Sequence, residues 1–144
     1  MITGLSHVSL IVPDLQAACD RMTQIYGLNI GAVMVNEQQG VRMVYADLGN
    51  AKIEMIEPLP SNAALMRFLA RHPEGGLHHL ALSVDSLDDT CAQMATHAVT
   101  PTSAKDARNV HGQAIAFIHP RYFLGALLEL EETFNADRLG QRHA

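Results

Sequence analysis

The chain has 144 residues, 48% of them hydrophobic, and a formal net charge of −5 at pH 7. This length is typical of one domain with a buried core, and the acidic charge gives no attraction to nucleic acid or to an anionic membrane surface. No apolar stretch reaches the roughly 18 residues of a membrane span and no secretory signal is recognisable, so we expect a cytoplasmic protein without nucleic-acid or membrane partners.

The first half of the chain is predicted to contain a strand, a helix and three further β segments. Apolar and β-branched residues predict the first strand over residues 5–12. The helix begins after Asp14, which is placed as its N-cap, and it ends at Gly27. The further β segments are predicted at about 29–35, 41–48 and 51–57.

A linker helix and a second copy of the same pattern follow. The linker helix is predicted over about 62–71, with Ser61 as its cap. In the second half, Ser86 is the predicted N-cap of a helix whose inner face runs from Leu87 to Ala98. Strands after this helix are predicted at about 113–118 and 126–131.

The two halves are related by an internal repeat with an offset of 72 residues. At this offset Gly4-Leu5-Ser6-His7 matches Gly76-Leu77-His78-His79, and identities continue through the helix. Further along, the register shifts by three residues, so that Glu54 matches Glu129. We ascribe the shift to a longer turn that starts at His119.

The repeat predicts an α+β protein in which two tandem βαβββ modules form a curved mixed β-sheet cup with the helices outside. We expect the modules to form one single domain. Its parts are predicted as module one over about 4–60, the linker helix over about 61–73, module two over about 75–132 and a polar tail over 133–144.

Four side chains of the repeat are candidate metal ligands. His7 and His79 occupy matched positions of matched strands, on the face that carries small residues. Glu54 and Glu129 each lie in the middle of an apolar strand, where a lone charge would be costly without a partner. Two imidazoles and two carboxylates suit a divalent ion such as Zn, Co, Ni, Mn or Fe(II). A single strand histidine is more often structural, and we assign that role to His78, which is predicted to point to the opposite face.

Four segments of the chain resemble the vicinal-oxygen-chelate superfamily, which includes the glyoxalases, and within it the methylmalonyl-CoA epimerases. The segments span about residues 5–132 and read LSHVSLIVPDL, QGVRMVYADLGNAKIEMIEPL, GGLHHLALSVDSLDD and IAFIHPRYFLGALLELEE. The resemblance implies that His7, Glu54, His79 and Glu129 bind a divalent metal ion, and that Glu129 is also one of two catalytic acid/base groups. It further implies an acyl-CoA thioester substrate and a homodimer.

The activity implied by this resemblance is metal-dependent epimerisation of methylmalonyl-CoA or a similar 2-alkylmalonyl-CoA. A cation would stabilise the enolate formed when the weakly acidic α-hydrogen is removed, and inversion needs acid/base groups on both faces of the planar intermediate. Two alternatives stay open. One is a glyoxalase-I-type isomerase or lyase acting on a glutathione hemithioacetal, and the other is a metal-free small-molecule-binding protein of the same fold.

The chain departs from the epimerase pattern at the second acid/base group. Epimerases typically carry a glutamate directly before the Gln-Gly-Val turn, whereas this chain has Gln38 there, which cannot take a proton. Glu37 lies one residue earlier and would point to the other face of a regular strand. Either a bulge near Gly40 turns Glu37 inward as the second catalytic group, or the chain has lost one base.

Overall fold

The computed structural model describes residues 1–133, and within them it contains eight β-strands and three α-helices. The strands are β1 (Ile2–Ile11), β2 (Asn29–Ile30), β3 (Met34–Asn36), β4 (Val41–Asp47), β5 (Lys52–Pro58), β6 (Gly76–Val84), β7 (Ile115–Ile118) and β8 (Leu128–Glu132). The helices are α1 (Leu15–Tyr26), α2 (Ala63–Arg71) and α3 (Leu87–Ala95). The pairing is mixed, since β1 is parallel to β5 while β4 is antiparallel to β5, which confirms the predicted α+β class with a mixed sheet.

Over this described range, no helix is both long and apolar enough to cross a membrane. Most of the predicted polar tail, residues 134–144, lies outside the described residues. The chain divides into two compact units, one of residues 6–80 and one that joins residues 1–5 to the chain from residue 81 onward. The module bounds predicted from the repeat stay predictions.

The unit of residues 6–80 is built on strands in the order β2-β4-β5-β1-β6. Apolar side chains of α1 cover these strands because they recur at helical spacing on one side of the helix. The buried core residues are Leu15, Val44 and Met55, and the half-buried residues packed against them are Val12, Ala18, Cys19, Met22, Ile30 and Ile53.

The ends of α1 follow the sequence prediction, whereas the cap of α2 does not. The Asp14 side chain accepts a hydrogen bond from the Ala17 backbone N–H, and Gly27 has a φ of 65° at the C-terminal end, as predicted for α1. The predicted cap of α2 at Ser61 is wrong, because the Asn62 side chain accepts the bond from the Leu65 N–H at 3.1 Å. Serine and asparagine are both good N-caps, so adjacent candidates are not separated by sequence preference.

The other unit contains α3, β7 and β8. Ser86 caps α3 as predicted, since its hydroxyl accepts a hydrogen bond from the Asp89 N–H at 3.3 Å. Ala98, however, lies beyond the last helical residue with a φ of 59°, so its predicted place on the inner face of the helix is wrong. The buried core of this unit consists of Val84, Leu87, Ala116, Ile118, Leu128 and Leu130.

The strands after each helix show where the two halves agree and where they differ. The single segment predicted over 29–35 is two short strands, β2 and β3, and in the second half an isolated bridge between Arg108 and Ala114 lies before β7. The registers of the last strand pairs agree: Glu54 lies opposite Tyr45, and Glu129 lies opposite Phe117. Tyr45 and Phe117 match at the offset of 72 residues, and Glu54 and Glu129 match after the shift of three, so both cross-strand pairs agree with the predicted alignment of the halves.

Candidate metal centre

Three of the four predicted ligands come together within the unit of residues 6–80. His7 lies on β1, Glu54 on β5 and His79 on β6, and the three side chains are almost completely buried, with 1%, 5% and 4% exposure. The parallel pairing of β1 with β5 places Ser9 opposite Glu54, and residues 7 and 9 share one face of β1 because side chains alternate along a strand. The strand order therefore delivers two imidazoles and a carboxylate to one buried point.

The nitrogen and oxygen atoms of these side chains that could bind a metal lie close to one another. The Nε2 atoms of His7 and His79 are 3.2 Å apart. Glu54 Oε2 lies 3.4 Å from the His7 Nε2, and Glu54 Oε1 lies 4.0 Å from the His79 Nε2. One ligand atom from each residue can be chosen so that all three lie within 4.8 Å of one another.

This arrangement fits a divalent metal ion. Ligand atoms about 2.0–2.2 Å from one ion and about 90–110° apart are separated by about 2.8–3.6 Å, a range that includes the two shorter distances in the cluster. Imidazole nitrogen and carboxylate oxygen also form a donor set of the kind that first-row divalent ions accept. His7, Glu54 and His79 thus form a cluster compatible with a divalent ion.

Burial keeps the His7 imidazole in the form that can bind a metal. Desolvation, with a smaller effect of His79 and then of Lys52, lowers the pKa of His7 to about 3. The pKa of His78 is lowered to about 4, again mainly by burial and further by His79. Both rings are therefore neutral at physiological pH, and only a neutral imidazole has a nitrogen lone pair to offer to an ion.

Further side chains hold the cluster in place. The Ser9 hydroxyl donates a hydrogen bond of 2.7 Å to Glu54 Oε1. The Tyr45 ring packs edge-on against His7, with ring centroids 5.5 Å apart, and Lys52 Nζ lies 5.3 Å from the centre of the same tyrosine ring. Sequence reasoning missed Ser9, although the predicted alternation of β1 already placed it on the face of His7.

The residues that precede the two histidines contact their outer nitrogens. The Ser6 Oγ lies 3.0 Å from the Nδ1 of His7, and the Nδ1 of His78 lies 2.8 Å from the Nδ1 of His79. The sequence prediction treated His78 as a separate structural residue on the opposite face, but the two rings are in direct contact. The signal that could have found this contact is the repeat itself, which matches Ser6 with His78.

Glu129, the fourth predicted ligand, belongs to the other compact unit. It lies on β8 between the buried Leu128 and Leu130, and it is itself only 3% exposed. Its roles as a metal ligand and as an acid/base group stay predictions.

Glu37 and Gln38 both lie in the turn that joins β3 to β4, and both side chains are exposed. The turn is closed by a hydrogen bond of 3.2 Å from the Gly40 N–H to the Glu37 carbonyl, and Gly40 has a φ of 66°. Because Glu37 lies in a turn, the alternation of a regular strand does not apply to it. The role of Glu37 as the second catalytic acid/base group stays a prediction.

The backbone of this turn is fixed by two asparagines. The Asn36 side chain accepts a hydrogen bond of 3.0 Å from the Gln39 N–H. Asn62, the N-cap of α2, donates through its side-chain amide to the Gln39 carbonyl at 2.9 Å. A Cβ atom at Gly40 would lie 3.2 Å from the Asn62 Cβ, so the turn and the start of α2 are in close contact.

Comparison with known families gives one match over most of the chain. The model of the Glyoxalase/Bleomycin resistance protein/Dioxygenase superfamily matches residues 6–117. The ethylmalonyl-CoA/methylmalonyl-CoA epimerase of Cereibacter sphaeroides is 32% identical over 133 residues, which are 92% of this chain and 99% of the relative. The mitochondrial methylmalonyl-CoA epimerase of Mus musculus is 31% identical over 128 residues, which are 89% of this chain and 72% of the relative.

Solved structures of the same kind share the fold. The crystal structure of methylmalonyl-CoA epimerase from Mycobacterium tuberculosis superposes with a TM-score of 0.85 at 28% identity, covering 97% of this chain and 93% of that one. A methylmalonyl-CoA epimerase in complex with methylmalonyl-CoA and NH4+ gives a TM-score of 0.82 at 28% identity, covering 92% of this chain and 96% of that one.

Proposed function

Because the chain belongs to the glyoxalase/bleomycin resistance protein/dioxygenase superfamily and is homologous to methylmalonyl-CoA epimerases, we propose that it is a metal-dependent epimerase of methylmalonyl-CoA or a similar 2-alkylmalonyl-CoA. The observation that carries the proposal is the buried cluster of His7, Glu54 and His79. The Nε2 atoms of His7 and His79 both lie near the Glu54 carboxylate, at 3.4 and 4.0 Å from its oxygens. An ion held at that point explains the arrangement.

In the proposed reaction, the hydrogen between the thioester and the carboxylate is removed, and a proton is returned to the opposite face of the enolate. A divalent ion held by His7, Glu54, His79 and Glu129 would supply positive charge close to the oxygen on which negative charge develops. The protein has to supply an acid/base group on each face. We assign one face to Glu129, whose buried side chain lies between Leu128 and Leu130, and the other to Glu37.

Proton exchange tests this function directly. The protein, loaded with Co2+, is incubated with methylmalonyl-CoA in D2O, and loss of the α-proton is followed by 1H NMR. We expect exchange well above the rate without enzyme, and we expect a chelator to abolish it. A protein that holds metal yet shows no exchange above the background rate would rule out the epimerase. Turnover of methylglyoxal with glutathione by such a protein would instead favour a glyoxalase-type activity.

Substitution of Glu37 tests the second acid/base group. With one base removed, a proton can leave and return only on the remaining face, so Glu37→Gln is expected to exchange one epimer with D2O while epimerisation falls by about 100-fold or more. The measurement compares the rate of deuterium incorporation with the rate of inversion, followed by a coupled or chiral assay. Gln38→Ala, in the same turn, is expected to leave both rates within about twofold. Inversion by Glu37→Gln at the rate of the unsubstituted protein would remove Glu37 from the mechanism.

The finer properties of the protein follow from the same relationship. We propose Co, Mn, Zn, Ni or Fe(II) as the native ion, because each accepts imidazole and carboxylate ligands. We also propose that the protein is a homodimer and that its acyl substrate is a CoA thioester, by analogy with the superfamily. The cytoplasmic location expected from the sequence stays a prediction.

A further inference from the structure

We propose that Ser6 and His78 are positioning residues that keep a proton on the outer nitrogen, Nδ1, of His7 and of His79, so that both Nε2 atoms present lone pairs to the same ion. The proposal rests on the metal centre described above and adds to it two residues that are not ligands.

In each imidazole, Nδ1 contacts the side chain of the preceding residue, and Nε2 faces the metal-ligand cluster. Ser6 Oγ lies 3.0 Å from the Nδ1 of His7, and the Nδ1 of His78 lies 2.8 Å from the Nδ1 of His79. On the inner side, the two Nε2 atoms are 3.2 Å apart. The outer partners and the inner donor atoms thus lie at opposite ends of each ring.

A neutral imidazole carries one proton, and the hydrogen bond at one nitrogen decides where that proton sits. If Nδ1 donates to Ser6 Oγ in His7, and to the unprotonated Nδ1 of His78 in His79, Nε2 is left as an acceptor in both rings. His78 then carries its own proton on its Nε2. A metal-bound histidine almost always donates its other N–H to such a partner, which fixes the orientation of the ring and raises its basicity.

The internal repeat supports a shared role for the two residues. Ser6 and His78 occupy the same position at the offset of 72 residues, directly before the matched histidines. Side chains of successive strand residues normally point to opposite faces, so a contact between neighbours is not expected from alternation alone, yet it is present in both copies. A direct ligand role for His78 is disfavoured because its Nδ1 already contacts His79, and the ligand cluster contains His79 without His78.

The test uses variants that separate hydrogen bonding from packing. His78→Phe keeps a ring without nitrogen, and His78→Asn keeps an acceptor close to the position of Nδ1. Ser6→Ala removes the hydroxyl, and Ser6→Thr keeps it. We expect His78→Phe and Ser6→Ala each to weaken Co2+ binding by about 10–100-fold, as loss of an outer partner typically does, and we expect His78→Asn and Ser6→Thr to restore most of the affinity. The matched control is His97→Phe at an exposed histidine, which is expected to bind Co2+ like the unsubstituted protein.

A second measurement locates the proton on each imidazole ring. Long-range 1H–15N NMR of the protein loaded with diamagnetic Zn2+ is expected to show His7 and His79 bound to the ion through Nε2 and protonated at Nδ1, and the Nδ1–H signal of His79 is expected to shift in His78→Phe. Unchanged Co2+ affinity in both His78→Phe and Ser6→Ala, or a proton on the Nε2 of His79 in the Zn2+-loaded unsubstituted protein, would overturn the inference. Failure of the proposed function is distinguishable, because it would appear as absent proton exchange in a protein whose Co2+ affinity still depends on Ser6 and His78.

Discussion

Glu54→Ala is expected to purify without metal, whereas the unsubstituted protein retains close to one ion per chain. The Glu54 carboxylate supplies the negative charge in the cluster that the described residues form with His7 and His79, and Glu54 is 5% exposed. Loss of an outer hydrogen-bond partner already weakens metal binding by about 10–100-fold, so loss of a ligand is expected to cost at least about 100-fold. Elemental analysis after purification without chelators measures the metal content, and titration with Co2+ measures the affinity.

A conservative variant and a control variant complete this experiment. Glu54→Gln keeps an oxygen that can accept from Ser9 and bind a metal, so its affinity is expected to lie between those of the alanine variant and the unsubstituted protein. Glu57→Ala, on the same strand, removes a carboxylate whose partner is Arg42 at 2.9 Å, and it is expected to retain full metal content. Retention of one tightly bound ion by Glu54→Ala would show that the cluster is not the metal centre.

Glu129→Gln is expected to retain the ion but to lose most of the α-proton exchange. An amide oxygen can still act as a ligand, whereas an amide cannot take a proton, so the substitution separates the two proposed roles of this residue. Removal of a general base typically lowers the rate by about 100- to 10,000-fold. Exchange of the α-proton in D2O and metal content are measured on the same preparation.

The control for this variant is Glu132→Gln on the same strand. The Glu132 carboxylate accepts a hydrogen bond of 2.7 Å from the Leu87 N–H, and a glutamine oxygen can accept the same bond, so exchange is expected to be unchanged. Normal exchange by a metal-loaded Glu129→Gln would remove Glu129 from proton transfer. Loss of the ion from Glu129→Gln, with the ion retained by Glu132→Gln, would instead support a role of Glu129 as a metal ligand.

Much of the cluster could be predicted from the sequence because the chain contains the pattern twice. A single histidine in a strand says little, but His7 and His79 recur at matched positions, and a charged residue between apolar neighbours, as at Glu54, indicates a partner. The shift of three residues that matches Glu54 with Glu129 is reproduced by the cross-strand pairs with Tyr45 and Phe117. The positions that could be predicted are those constrained by burial and by strand alternation.

Other features could not be predicted because they depend on contacts between distant segments or on local backbone geometry. Ser61 and Asn62 are equivalent as caps until the position of the turn near Gly40 is known. The contact between His78 and His79 joins the side chains of neighbouring strand residues, which simple alternation does not predict. The turn that contains Glu37 and Gln38 is set by backbone hydrogen bonds and by the left-handed conformation of Gly40, and neither is visible in a hydrophobic pattern.

The Asn62 side chain links the start of α2 to the turn between β3 and β4, and this link affects how the two segments unfold locally. One end of its amide holds the first turn of α2 through the Leu65 N–H, and the other holds the Gln39 carbonyl in the turn beside Glu37. Fraying of that helix end would release the turn as well, so the two segments behave as one cooperative opening unit. The connecting helix, which neither copy of the repeat contains, thereby imposes on one half a restraint that gene duplication alone would not supply.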